Sequence, residues 1–175
     1  MVPMGTAGEV WFRSYATMLG YWDDPEKTKE MITSCGWMKS GDIFVLREDG
    51  YGQVVGRLKD VIIRGGENIF PAEVEHVLET HPNVLEAQVY GVNDARMGEE
   101  VSASLKLKAD AQLTKQDLYS FCLKRMARYK IPKYINFVED FPKTESGKVK
   151  KFMLKEAMER NKNNCLAHPV GQHNT

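Results

Sequence analysis

Residues 56–75 read Gly-Arg-Leu-Lys-Asp-Val-Ile-Ile-Arg-Gly-Gly-Glu-Asn-Ile-Phe-Pro-Ala-Glu-Val-Glu. The apolar run 61–63 is framed by Arg57, Lys59 and Asp60 on one side and by Gly65-Gly66 on the other, and Pro71 opens the next segment. This layout predicts a strand, a tight exposed loop and a helix. Adjacent glycines accept φ > 0 and let a ligand approach the backbone closely, so the loop reads either as a charged strand-to-helix turn or as a ligand-facing one. Spacing alone does not separate the two.

Working outward, the segments before residue 56 are short, alternating and punctuated by glycine. Strands are expected at 9–13, 42–46 and 51–55, with Asp49-Gly50 between the last two as a hairpin turn. A helix is expected over 24–32, capped by Asp24, with Pro25 at its first position and Glu26 at its positive end. After residue 56 the pattern mixes. Val74, Val77 and Leu78 mark an amphipathic helix over 71–80, and strands follow at 84–92 and 101–107, the second with Val101, Ala103, Leu105 and Leu107 alternating against polar residues. Thr114 caps a helix predicted to run to about Ala127, 135–138 reads as a strand, and a last helix begins near Val149 with Leu154, Ala157 and Met158 inward. The alternation predicts an α+β domain, a small sheet covered by helices. Residues 161–175 are polar and without period, and disorder is the expectation.

Composition bounds the partners. Lys plus Arg equals Asp plus Glu at 24 each, so no global field draws in nucleic acid or an anionic membrane. Cys35, Cys122 and Cys165 form no CxxC pair, and His76, His81, His168 and His173 have no ligand spacing, so no metal site is expected. No apolar run approaches the ~20 residues of a membrane span. Residues 1–5 show no targeting signal, so the sequence as given reads as cytoplasmic. Trp11, Trp22 and Trp37 are expected to pack the β portion. Ser146-Gly147-Lys148 invites a P-loop reading, but Pro142 stands where its first glycine belongs, so that reading is rejected. Lys148 is left as a lysine on an exposed, flexible loop. Lys124, Arg125, Arg128 and Lys130 form a basic cluster, read as a solvated face or as a phosphate contact.

Five stretches occur in order: Gly8-Glu9-Val10, Met18 with Leu19-Gly20-Tyr21-Trp22, Gly36-Trp37-Met38-Lys39-Ser40-Gly41-Asp42, the 56–75 run, and Pro142 through Lys148. Together they resemble the adenylate-forming superfamily of acyl-coenzyme A synthetases, luciferases and adenylation domains, over residues 5 to about 160. Arg-Met-Gly-Glu-Glu at 96–100, Tyr-Lys-Ile-Pro-Lys at 129–133 and Lys-Val-Lys-Lys-Phe at 148–152 look most like the short- to medium-chain fatty acyl-coenzyme A synthetases, of the mitochondrial family member 2 type.

The resemblance implies that 1–56 is the β-rich end of a large adenylation domain. It makes 57–160 a small mobile C-terminal domain, a three-stranded sheet with helices plus a β-hairpin. It also implies roles. Asp42 accepts from the ribose hydroxyls of ATP or AMP, and Arg57 reaches the same nucleotide. Lys59 is the hinge, where relatives carry Asp or Lys. Lys148 is catalytic, meeting the substrate carboxylate and the α-phosphate. Gly65, Gly66 and Glu67 line the channel by which coenzyme A arrives. Ser40 stands where many relatives have threonine and keeps the hydroxyl. For the basic cluster a solvated face is the main expectation, and contact of some of its members with the 3′-phosphate of coenzyme A the lesser one. Mg²⁺ is expected in a full-length enzyme but not on this chain, and a full-length relative is expected in the mitochondrial matrix. The phosphate loop, adenine segment and acyl pocket of the family have no counterpart here. The expected function is therefore the C-terminal portion of an AMP-forming fatty acyl-coenzyme A ligase, inactive alone and partnered by the large domain it lacks. The alternatives are a non-catalytic binding module that kept the fold and part of a carrier-loading adenylation domain.

Overall fold

The structure, a computed structural model, describes residues 1–161. The expected disordered tail, past Asn161, lies outside the described residues, as do Cys165, His168 and His173. The chain is mixed α+β and divides into two compact units, Met1–Lys59 and a second beginning at Asp60.

The first unit is a three-stranded antiparallel sheet, β1 (Gly8–Phe12), β2 (Met38–Leu46) and β3 (Gly52–Arg57), with one short helix, α1 (Pro25–Met31). Asp24 caps α1 as its sequence predicts, its carboxylate accepting from the Lys27 N–H at 2.9 Å. The turn between β2 and β3 is held by the Asp49 carboxylate, which accepts from the Tyr51 N–H at 3.0 Å. Within this unit Ile43 alone is buried, at 6 % exposure. The tryptophans correct the expectation that they pack the β portion. Trp22 stands 98 % exposed, and Trp11 and Trp37 keep more than a third of their surface in water. The physical reason is that one thin sheet and a seven-residue helix supply no second apolar layer to cover them.

The second unit is built on a long antiparallel ladder of β6 (Val84–Asp94) and β7 (Gly98–Leu107), with β8 (Tyr134–Phe137) parallel to β7. A small hairpin, β4 (Ile62–Arg64) and β5 (Glu67–Ile69), joins the start of β7 through Arg64 opposite Gly98. Helices α2 (Pro71–Glu79), α3 (Lys115–Leu123) and α4 (Lys151–Arg160) complete it. Side chains alternate across a strand, so this sheet has two apolar faces. Ala87, Val89, Val101, Ala103, Leu105 and Ile135 pack with Val74 and Leu78 of α2 and Leu118 and Cys122 of α3. Tyr90, Val92 and Tyr134 face the other way and pack with Phe141 and with Leu154 and Met158 of α4. Ser102 and Ser104, read as the polar side of an alternating strand, are buried. The Ser104 hydroxyl bonds that of Tyr90 at 2.8 Å, and the Ser102 hydroxyl donates to the Tyr134 carbonyl at 3.4 Å.

Two elements differ from their sequence expectation. The stretch after Gly66, expected to lead from the loop into a helix, first forms a second short strand, β5, paired back on β4, which three residues of mixed polarity do not announce. Helix α3 stops at Leu123 rather than near Ala127. The Cys122 carbonyl takes both the Arg125 N–H at 2.9 Å and the Met126 N–H at 3.0 Å, tightening the last turn before the chain becomes extended at Ala127.

The β6–β7 turn is organised by Asp94, whose Oδ1 accepts from the Arg96 N–H at 3.0 Å and the Met97 N–H at 3.1 Å. The Met97 N–H holds this carboxyl down to about 2 against an opposing desolvation, helped by Arg96 and the Lys133 ammonium. The folded value lies below the ordinary 3.8, so the group's stabilisation is complete above 3.8 and disappears as pH falls through about 2. In urea titrations, Asp94→Asn is expected to lower stability near neutral pH, with the deficit shrinking as pH drops from 4 to 2. Truncation of the fully buried Leu78 to Ala is expected to cost ~2–5 kcal/mol in the same assay, from lost burial and the cavity left between α2 and the sheet.

Candidate functional site

Asp42 owes its position to an irregularity in β2. Glu9 pairs with Ile43 and Trp11 with Lys39, so Val10 alone faces Ser40, Gly41 and Asp42. A bulge of this kind re-aims side chains out of the regular ladder, and Gly41, at φ +72°, supplies the left-handed residue it needs. The freed Gly41 N–H donates to Glu9 Oε1 at 3.0 Å, whose other oxygen takes the Trp11 indole N–H at 2.7 Å. The Ser40 hydroxyl accepts from the Asp42 N–H at 3.0 Å. Across the ladder, Asp42 lies opposite Arg57, and the Arg57 Nε donates to Asp42 Oδ1 at 3.2 Å. Both side chains are well exposed, so this pair is worth at most ~1 kcal/mol to folding. An acceptor and a guanidinium therefore stand together at the surface at little cost in stability. Glu9, which fixes the bulge, lies in the Gly8-Glu9-Val10 stretch, but its sequence gives no sign of a bond to Gly41, 32 residues on.

Lys59 is exposed in a 3₁₀ turn, Leu58–Asp60, and the division between the two compact units falls just after it.

Gly65 and Gly66 form the two-residue loop of the β4–β5 hairpin, with Arg64 opposite Glu67 and φ of +57° and +88° at the glycines. Two successive positive φ values suit the twist of a tight hairpin, which by itself accounts for both glycines. Their surroundings differ. A Cβ on Gly66 would meet nothing within 4 Å, whereas one on Gly65 would run into Met97 Cε at 2.5 Å. The turn is thus open on the Gly66 side and pressed against Met97 on the other. Glu67 is exposed beside it.

Lys148 is exposed on a compact loop. The Thr144 N–H donates to the Lys148 carbonyl at 2.8 Å, the Gly147 N–H to the Thr144 carbonyl at 2.9 Å, and the Lys148 N–H to the Thr144 hydroxyl at 3.1 Å. At the start of α4, the Lys151 ammonium donates to Glu75 Oε1 at 2.6 Å and to the Val89 carbonyl at 3.2 Å, tying the base of this loop to α2 and β6.

Of the predicted residues, Asp42 and Arg57 come together in the first unit, and Gly65, Gly66 and Glu67 share one turn of the second. Lys148 stands on a separate loop of that second unit. Of the basic cluster, Arg125 lies over the Phe121 ring at 3.7 Å and Lys130 pairs with Glu73 at 2.6 Å, so both have structural partners. Burial pushes the Cys122 thiol up to about 11, leaving it unreactive. Among the described residues no cluster of His, Cys, Asp and Glu is placed to hold a metal ion, and no helix is long and apolar enough to cross a membrane.

Residues 73–148 match the AMP-binding enzyme C-terminal domain. The medium-chain acyl-CoA ligase ACSF2, mitochondrial, of Danio rerio is 51 % identical over 160 residues, covering 91 % of this chain and 26 % of the relative. The chain thus spans about a quarter of the length of the curated relative it matches. Among solved structures, ATP-bound MatB from Rhodopseudomonas palustris superposes with a TM-score of 0.86 at 34 % identity, over 90 % of this chain and 31 % of MatB. The Bacillus subtilis o-succinylbenzoate CoA synthetase MenE, complexed with the acyl-adenylate OSB-AMP, gives 0.80 at 34 %, over 88 % of this chain and 31 % of MenE. The C-terminal-domain match, together with ligase relatives aligned along nearly the whole sequence, places the chain in the AMP-binding, adenylate-forming enzyme family, whose C-terminal domain it carries.

Proposed function

We propose that this chain is the C-terminal part of an AMP-forming fatty acyl-coenzyme A ligase acting on short- to medium-chain acids. In the first half-reaction a carboxylate oxygen attacks the α-phosphorus of ATP, giving an acyl-adenylate and releasing pyrophosphate. In the second, the coenzyme A thiol attacks the acyl carbonyl, giving the thioester and releasing AMP. The observation that carries this reading is the Asp42–Arg57 pair, set at the surface beside a bulge, in a chain 51 % identical over 160 residues to a medium-chain acyl-CoA ligase.

Asp42 is suited to the ribose diol, because a carboxylate accepts from both hydroxyls. Arg57 holds that carboxylate and adds a charge for the nucleotide. Lys148 supplies an ammonium where negative charge gathers as the carboxylate meets the α-phosphate. Lys59 serves as the hinge, its exposed side chain free of packing that a rotation would break. The open face of Gly66, with Gly65 and Glu67, offers the pantetheine arm a path along bare backbone. Residues 1–56 are assigned to the end of the large domain and 57–160 to the small one. The exposed Trp22, Tyr15 and Leu19 support the first assignment, since such surface is covered by a partner in a stable protein. Mg²⁺ is assigned to the phosphates of ATP, not to a site on this chain. The mitochondrial setting named for the zebrafish ligase is carried over to the full-length protein.

The test joins this chain to the N-terminal three-quarters of the zebrafish ligase in place of that enzyme's own C-terminal segment. ATP-dependent octanoyl-coenzyme A formation is expected. Lys148→Ala is expected to lower ATP–pyrophosphate exchange by ~10²–10³ while sparing thioester formation from supplied octanoyl-adenylate. A chimera without ligase activity leaves the non-catalytic module standing, and product only on a phosphopantetheinyl protein identifies a carrier-loading enzyme.

A further inference from the structure

The turn at Gly65-Gly66 is locked by a closed ring of contacts that reaches into the interior. Arg64, the residue before the turn, donates from Nε to Glu100 Oε2 at 2.6 Å and from Nη2 to Glu100 Oε1 at 3.2 Å. Glu100 is 4 % exposed, and its Oε1 also accepts from the Lys133 ammonium at 3.3 Å. Lys133 then donates to Asp94 Oδ2 at 3.2 Å, and the other oxygen of Asp94 takes the N–H of Met97. The Met97 carbonyl accepts from the Gly65 N–H at 2.8 Å, closing the ring beside Arg64. The Met97 methyl occupies the space a side chain at Gly65 would need. Between its six members every connection except the covalent one from Arg64 to Gly65 is thus a hydrogen bond, and four of the six contribute charged side chains from different strands or loops.

We infer that Arg64, Glu100, Lys133 and Asp94 are positioning residues that hold the Gly65-Gly66 turn in the geometry used for acyl transfer to a thiol, and that they take no part in adenylation. This rests on the ligase reading above. None of the four sits on the loop that carries Lys148, and that loop has its own tether through Lys151 and Glu75. Loosening the ring therefore moves the turn and leaves the Lys148 loop anchored. Chemistry set by a backbone surface is sensitive to displacement, and a misplacement near 1 Å costs up to ~10²-fold in rate.

Lys133 is the member to remove, because Arg64 still pairs with Glu100 when it is gone. In the chimera, Lys133→Met and Asp94→Asn are each expected to slow thioester formation from supplied acyl-adenylate by ~10- to 100-fold, chiefly in kcat. ATP–pyrophosphate exchange should stay within about twofold, since a change confined to the turn leaves the adenylation geometry intact. Lys133→Arg should restore most of the thioester rate. In the full 175-residue chain, Lys133→Met is expected to speed hydrogen exchange at the Gly65 amide by ~10-fold, with amides of the central β6–β7 ladder unchanged. Equal losses in the two half-reactions, no loss in either, or a Gly65 amide that exchanges as in the parent each overturn the inference. An unmutated chimera that makes no acyl-coenzyme A overturns the ligase reading instead, and the exchange measurement still decides whether the ring holds the turn.

Discussion

A carboxylate buried as fully as that of Glu100 cannot be left unpaired, because a lone ion in the interior loses several kcal/mol of hydration. Its two oxygens oblige Arg64 and Lys133 to come to it, one from the β4–β5 hairpin and one from the segment leading into β8. Lys133 feels the opposite demands of its site. Burial disfavours its charge, but the hydrogen bond to Asp94 and the charge of Glu100 outweigh that and raise its pKa. The hairpin meets the main sheet through Arg64 opposite Gly98, too short a ladder to fix its angle, and the ion pairs supply the missing constraint. The desolvation cost means the network adds little to net stability. What it does add is a single arrangement of charged groups, which hydrophobic residues of the same volume would not specify.

The two units manage their apolar surface in opposite ways. The second buries both faces of its sheet under three helices, and its core residues are almost wholly withdrawn from water. The first presents exposed Trp22, Tyr15, Leu19 and Tyr51 around a single buried isoleucine. A sheet of three strands with one short helix has no source of hydrophobic stabilisation adequate to order it alone. Its order is local: the Asp24 cap, the Asp49 turn, the Glu9 clamp on the bulge and cation–π contacts of Arg13 with Trp37 and Lys39 with Trp11.

Local rules were the legible part of the sequence. Asp24 with Pro25, Thr114, the Asp49-Gly50 turn and the alternation in β7 each act within a few residues, and each lies where its chemistry indicates. The α+β class followed from them. The misreadings arose where distant segments decide. Burial of Ser102 and Ser104 depends on α4 lying across the second face, more than forty residues on. The end of α3 depends on one carbonyl serving two donors. Strand β5 exists because two glycines turn the chain back on β4, not because Glu67-Asn68-Ile69 has strand character. The candidate site divides in the same way. The motifs of the resemblance carry roles for Asp42, Arg57 and Lys148, whereas Glu9, Arg64, Glu100 and Lys133 lie within quoted stretches that assign them no role, because their contacts join residues 32 to 39 positions apart.

Both loops assigned to chemistry in the second unit are tethered to the same ladder. The Lys148 loop is tied through Lys151 to the Val89 carbonyl of β6 and to Glu75, which itself accepts from the Val89 N–H at 2.8 Å. The Gly65-Gly66 turn is tied through the ring to Asp94 at the end of β6 and to Glu100 in β7. Strands β6 and β7 pair along nearly their whole length and carry the core of the unit on both faces, so they are the last part to deform. Under the proposed function, presenting one loop and then the other in the two half-reactions would require neither loop to remodel. The ladder makes them two faces of one rigid piece, and under the proposed function the torsional freedom required would lie outside it, at the exposed Lys59.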